Sequence, residues 1–311
     1  MHEHLTHAIY YAEVHLIFCS IVWLAAWVLT LIPGGSATTK HWIWFATALN
    51  FIVPLGAIVD GLFAPHISWA TPLGWVGDLG ASLADNTRLV VSLAVIWLIG
   101  AIAMLARLWL RIPGSRNGKE TVADSNPDSG HRFHADGIAV RFGEGARGPA
   151  VAGILRSYIW LPAGIDRLLS ERELNSVLMH ELTHARRHDN LIRLLYEFSL
   201  CALWFHPLVW ITGSRLALYR ELSCDESVIQ RGHGRELVSA LAKLANPEKT
   251  VPLEATAGSF LRHRLAKLTA KRSSGMNMAA NTLLSACFAV VLAAGVFATV
   301  AHTACCFVAR T

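Results

Sequence analysis

The chain has 311 residues, 53% of them hydrophobic and only 16% charged, with a net charge of +5 and a mean hydropathy of +0.41. A soluble globular domain carries about 25% charged residues. A wholly soluble chain, a disordered one and a collagen-like repeat are therefore excluded. The six cysteines (Cys19, Cys201, Cys224, Cys287, Cys305, Cys306) form no CxxC pair, which leaves neither a thiolate zinc site nor a thioredoxin-type motif. On so apolar a chain the basic excess reads as a membrane-topology signal, and no direct nucleic-acid binding is expected.

Four apolar stretches are long enough to span a bilayer core of about 30 Å, which takes roughly 20 helical residues. They cover residues 15–32, 42–64, 89–110 and 276–302. The first lacks the basic start and small-residue cleavage site of a signal peptide, so it is read as a retained helix. Arg107, Arg111, Arg116 and Lys119 follow the third span, and Arg262, Arg264, Lys267, Lys271 and Arg272 precede the fourth. Lys and Arg collect on the cytoplasmic side. The intervening segment, 113–275, is thus expected in the cytoplasm and both termini outside, with 303–311 a short outer tail.

Within that insert, 113–130 is a polar Gly/Ser/Asn-rich linker. Residues 137–162 alternate in the manner of strands, as in Ile138, Val140 and Phe142, and end at Pro162. From Ser170 the pattern turns helical, with Ser170 and Glu173 at capping-box spacing. A second helix is expected over 191–205, broken at Pro207. A third is expected over 214–231, a fourth over 236–245, and a basic amphipathic one over 260–272. The run 191–211 is apolar but carries Arg193 and Glu197, costly at mid-bilayer, and is expected to lie against or partly within the membrane. The basic 260–272 helix is expected to enforce topology beside the fourth span; the alternative is a linker held at anionic membrane lipid of the inner leaflet that couples the protease to that span, with self-cleavage there.

The most informative residues are His180-Glu181-Leu182-Thr183-His184. On a helix, the two histidines share one face a single turn apart and can hold one Zn²⁺, with Glu181 beside the metal as a base for its bound water. A catalytic zinc usually keeps three protein ligands and one open position. Glu221, 37 residues after His184, is the candidate third ligand. Asp225 lies one turn beyond it and is placed to accept the second N–H of a ligating histidine. Asp189 either braces the HExxH helix or begins the next one, and Cys224 is read as packed. Besides the metal, the oxyanion partner is open among His206, Tyr219 and Arg220.

These residues resemble the BlaR/MecR-type antirepressor metallopeptidases of bacterial membranes. The likeness covers nearly all of 149–231, including Trp160-Leu161-Pro162, Leu169 to Leu174, Val177 to His184, Arg186 to Asp189, Phe205 to Trp210 and Arg220 to Glu226. It implies a mainly α membrane protein of the bacterial cytoplasmic membrane, with four transmembrane helices and an inserted α+β zincin-like (gluzincin) domain. It implies Zn²⁺ at His180, His184 and Glu221, and Glu181 as catalytic base. The implied substrate is a cytoplasmic protein, a winged-helix transcriptional repressor, together with the chain itself. Homodimerisation is left open. The family's β-lactam sensors carry a penicillin-binding domain after the fourth span. Only about ten residues follow it here, so the chain is not expected to sense β-lactams by itself. A quality-control protease of the HtpX type and a non-catalytic adaptor are the competing readings.

Overall fold

The structure is a computed structural model that describes residues 2–53, 86–111, 134–135, 137–143, 148–245, 264 and 278–308. Three of its helices are long and apolar enough to cross a membrane: α1 (His2–Leu31), α3 (Thr87–Arg111) and α9 (Met278–Val308). The expected second span begins as α2 (Ala37–Ile52), whose 16 residues rise only about 24 Å. The 54–64 part of that span lies outside the described residues, as do the 113–130 linker and all of 260–272 but Arg264. α2 starts earlier than its apolar run because Ser36 caps it, accepting from the Thr39 N–H. Glu226 also accepts from the Ala37 N–H at 2.9 Å.

The insert opens with a small sheet: β1 (His134–Ala135), β2 (Ile138–Gly143), β3 (Ala150–Ala152) and β4 (Tyr158–Pro162). The strand order is β1-β2-β4-β3, with β2 parallel to β4 and the other pairs antiparallel. β3 is therefore an edge. Helices follow: α4 (Ile165–Leu168), α5 (Glu171–Arg186), α6 (Asp189–Ala202), α7 (Pro207–Gln230) and α8 (Gly234–Leu244). Ile159 and Leu161 from β4 pack against Leu174, Val177, Leu178 and Leu182 of α5, Val228 of α7 and Leu237 of α8. A second core joins Phe18, Val22, Ile43, Trp44, Ile192, Leu216, Leu284 and Phe288 from α1, α2, α6, α7 and α9. α7 contributes to both.

The expected break before Pro207 is present, since α6 ends at Ala202, but the expected restart at Ser214 is corrected to Pro207. α7 runs unbroken for 24 residues, with Pro207 in its first turn, where its missing N–H costs nothing. Gly213 lies within α7. A Cβ there would lie 2.1 Å from the Tyr196 hydroxyl of α6, so the glycine serves the close approach of the two helices.

The start of α5 is secured by ionic contacts as well as by the capping box. Glu173 accepts from the Ser170 backbone N–H at 2.8 Å, from the Ser239 hydroxyl at 2.6 Å and from Lys243 at 2.6 Å. Lys243, then Ser239, hold its pKa down to about 2. A carboxylate depressed in this way stabilises the fold above its unfolded pKa and ceases to as the pH falls through its folded one. Glu173→Gln should lower the thermal midpoint at neutral pH, and the gap from wild type should close as the pH falls from 4.5 toward about 2. A gap independent of pH in thermal melts would contradict the ionic role.

Candidate metal centre

α5 carries His180 and His184 on its buried face, with their Nε2 atoms 3.1 Å apart. Glu221 reaches them from α7. Its Oε2 lies 3.5 Å from His180 Nε2 and its Oε1 3.8 Å from His184 Nε2. The edge of a zinc tetrahedron with bonds of about 2.0–2.1 Å measures about 3.3 Å. The spacing of these three donors fits one metal ion. Glu181, also buried, lines a cavity of about 360 Å³ with the three of them. Pro149, Ala150 and Val151 at the β3 edge form one wall, and Val177, Leu237, Leu241 and Leu244 another.

Each imidazole has a carboxylate on its far side. His184 Nδ1 donates to Asp189 at 2.5 Å. His180 Nδ1 lies 3.1 Å from Asp225 Oδ1, close but without hydrogen-bond alignment. Asp189 both begins α6 and braces α5, so the two roles read for it are one arrangement. The junction depends on His188, which takes the left-handed conformation (φ 55°, ψ 46°) and reverses the chain tightly. Arg187 then grips Asp189 through Nε and Nη2, each at 2.6 Å, and also donates to Ser223.

Burial opposes charge on His180, but Asp225 and Glu221 outweigh it and raise the pKa to about 9. Burial likewise opposes charge on His184, yet Asp189, Cys224 and Glu221 lift its pKa well above the ordinary value. Burial pushes Glu221 up, and the two imidazoles override it, holding the carboxylate well below its usual range. The site thus favours positive charge between its donors. A metal ion supplies that charge in place of protons, so its affinity rises with pH.

His184, Asp189 and Cys224 form a second group of metal-capable atoms. A cation already serves it: Arg187 Nη2 donates to Asp189 and lies 3.4 Å from Cys224 Sγ. This leaves Cys224 packed, as read from the sequence.

Two residues of the site carried no sequence signal of their role. Arg187 depends on the left-handed turn at His188. Arg264 belongs by composition to a basic membrane-facing segment, but its guanidinium faces the centre. It donates to both oxygens of Asp225 at 2.9 and 2.7 Å and lies 3.3 Å from Glu221 Oε2. Of the three oxyanion candidates, Arg220 lines the cavity and contacts Glu221 at 3.1 Å. Tyr219 packs against the helical bundle instead. His206 stands 15 residues before Glu221 on α7, about 22 Å away, beside Phe51 and Ser20.

Helices of membrane-spanning length, joined to a small domain with a buried two-histidine, one-glutamate group, place the chain among helical proteins able to hold a metal ion. The comparison with known proteins is more specific: residues 14–268 match the BlaR1 peptidase M56 family, and the chain belongs to it. The chain is 27% identical over 234 residues to the regulatory protein BlaR1 of Bacillus licheniformis, a match covering 68% of this chain and 37% of that protein. It is 26% identical over 99 residues to the methicillin resistance mecR1 proteins of Staphylococcus aureus and Staphylococcus epidermidis, covering 32% of this chain and 17% of each. The chain spans well under half the length of these relatives.

A carboxylate that orients a metal-binding imidazole typically contributes about 10- to 100-fold in metal affinity. Asp189→Asn should weaken Zn²⁺ binding by about that factor in calorimetric titration while circular dichroism stays unchanged. Unaltered affinity in a folded variant would contradict the bracing role.

Proposed function

We propose that this chain is an integral-membrane zinc metalloendopeptidase of the regulatory kind, built on a gluzincin-type domain. The carrying observation is the convergence of His180, His184 and Glu221 within 3.1 to 3.8 Å beside Glu181 in an open cavity. Zinc held by these three residues would supply Lewis acidity toward a peptide carbonyl and a bound water of lowered pKa. Glu181 takes the proton and delivers it to the leaving amine. Asp189 accepts from His184 Nδ1 and fixes the tautomer of that imidazole, and the Asp225 carboxylate lies beside His180 Nδ1.

Substrate binding is supported by the β3 edge on the cavity wall. An extended peptide adds to such an edge through main-chain hydrogen bonds. Asn190 Nδ2 donates to the Val151 and Gly153 carbonyls at 3.0 and 2.8 Å, which ties that edge to the start of α6. In this reading the peptidase domain faces the cytoplasm, both termini lie outside, and the substrate is a cytoplasmic repressor of the winged-helix class. Self-cleavage belongs to the same proposal.

Purified wild-type protein should carry one Zn²⁺ per chain. His180→Ala and Glu221→Ala should lose most of it. Glu181→Gln should keep the metal, since this residue is no ligand, yet cut peptides at least about 100-fold more slowly. Full zinc occupancy in the two alanine variants would contradict the ligand set, and an unchanged rate in Glu181→Gln would remove the base.

A further inference from the structure

We propose that the α6–α7 hairpin enters the lipid bilayer as a re-entrant wedge beside α3, with acyl chains covering its tip. The candidate metal centre then stands at one membrane face.

Residues 198–214 contain no Asp, Glu, Lys or Arg. At the tip, Phe198, Phe205, Trp210 and Ile211 are 43%, 47%, 41% and 39% exposed. A water-facing hairpin of a soluble domain rarely leaves such a patch uncovered. The patch continues onto α3, where Ile96, Leu98 and Ile99 are also exposed. The two elements are joined there. Trp97 Nε1 donates to the Ala202 carbonyl at 2.8 Å, and Trp204 Nε1 donates to the Trp97 carbonyl at 3.2 Å. A Cβ on Gly100 would collide with the Trp204 ring, so the glycine admits the indole. Trp97 lies near the middle of the apolar stretch Thr87–Leu110. If α3 spans the membrane, the hairpin tip lies at mid-depth.

Three successive carbonyls of the turn find their partners within the protein. In hydrocarbon, irregular backbone must be satisfied from within the protein. The Ala202 carbonyl takes the Trp97 indole, and the Trp204 carbonyl takes the Trp210 indole at 2.8 Å. The Leu203 carbonyl takes the His206 N–H at 2.9 Å. The charges nearest the tip are engaged by the protein, and the Arg107 guanidinium of α3 lies 5.4 Å over the Trp210 ring. Glu197 is buried, and the Arg215 guanidinium lies 4.2 Å over the Trp27 ring. Arg193 lies at the cavity, towards the other end of α6.

Helix lengths set the depth. Asp189 to Ala202 on α6 and Pro207 to Glu221 on α7 each rise about 20 Å, and Trp97 to Arg111 on α3 rises about 21 Å. The centre therefore stands level with the charged end of α3, near the membrane surface. On the peptidase reading proposed above, bonds in membrane-proximal segments, as in self-cleavage, are preferred, and a cytoplasmic repressor must come to the membrane surface to be cut.

The test uses the full chain in nanodiscs, with a fluorescent amino acid incorporated at Phe205 and, in a second variant, at Leu155 on the β3–β4 turn, which is 76% exposed. The Phe205 probe should be quenched by lipid carrying a mid-chain nitroxide and spared by aqueous iodide, with the reverse at Leu155. Iodide quenching at Phe205, or quenching by neither agent, would overturn the insertion, the latter because protein covers the tip. A second arm compares one peptide free in solution and tethered to the disc. Tethering should raise its cleavage about tenfold or more through effective concentration at the centre. Equal rates would overturn the membrane-proximal preference. No cleavage in either form, with lipid quenching intact, would count against the peptidase reading and leave the insertion standing.

Discussion

Two imidazoles on successive turns of α5 face each other, Nε2 to Nε2, at 3.1 Å in a buried setting. Such groups are costly to bury unless charge and hydrogen bonds are balanced around them. The neighbouring residues provide that balance in alternating layers. Glu221, Asp189 and Asp225 surround the imidazoles, and Arg187, Arg220 and Arg264 surround the carboxylates. One metal ion between the three inner donors would complete the alternation.

The layers are assembled by few elements. α7 supplies Glu221 and Asp225 to the centre, Val228 to the core under the sheet and Leu216 to the core of the helical bundle. The residue after Asp225, Glu226, holds the N-terminus of α2. The helix that presents the third donor is thus also the beam that joins the small domain to the spanning helices. Packed helices do not deform continuously, so the position of Glu221 is tied to the position of α2.

Much of this was legible in the sequence because helical spacing fixes direction. The i,i+4 interval of His180 and His184 puts both on one face, and that of Glu221 and Asp225 does the same on α7. The Ser170–Glu173 box and the alternation of Ile138, Val140 and Phe142 are also local signals, and each has its element in the fold. What escaped reading depends on tertiary contact. The helix expected from Ser214 starts about two turns earlier at Pro207, and Gly213 lies inside it to admit Tyr196. The grip of Arg187 requires a left-handed residue that no pattern announces. Arg264 belongs by composition to a membrane-facing basic stretch, and only folding shows that its guanidinium turns to Asp225.

X-ray absorption at the zinc edge on the purified, metal-loaded protein tests the central claim most directly. Two metal-capable groups share His184, one completed by His180 and Glu221, the other by Asp189 and Cys224. The first predicts two imidazole nitrogens and carboxylate oxygen at about 2.0–2.2 Å with no sulfur. A sulfur shell at about 2.3 Å would place the ion at Cys224 and contradict the site.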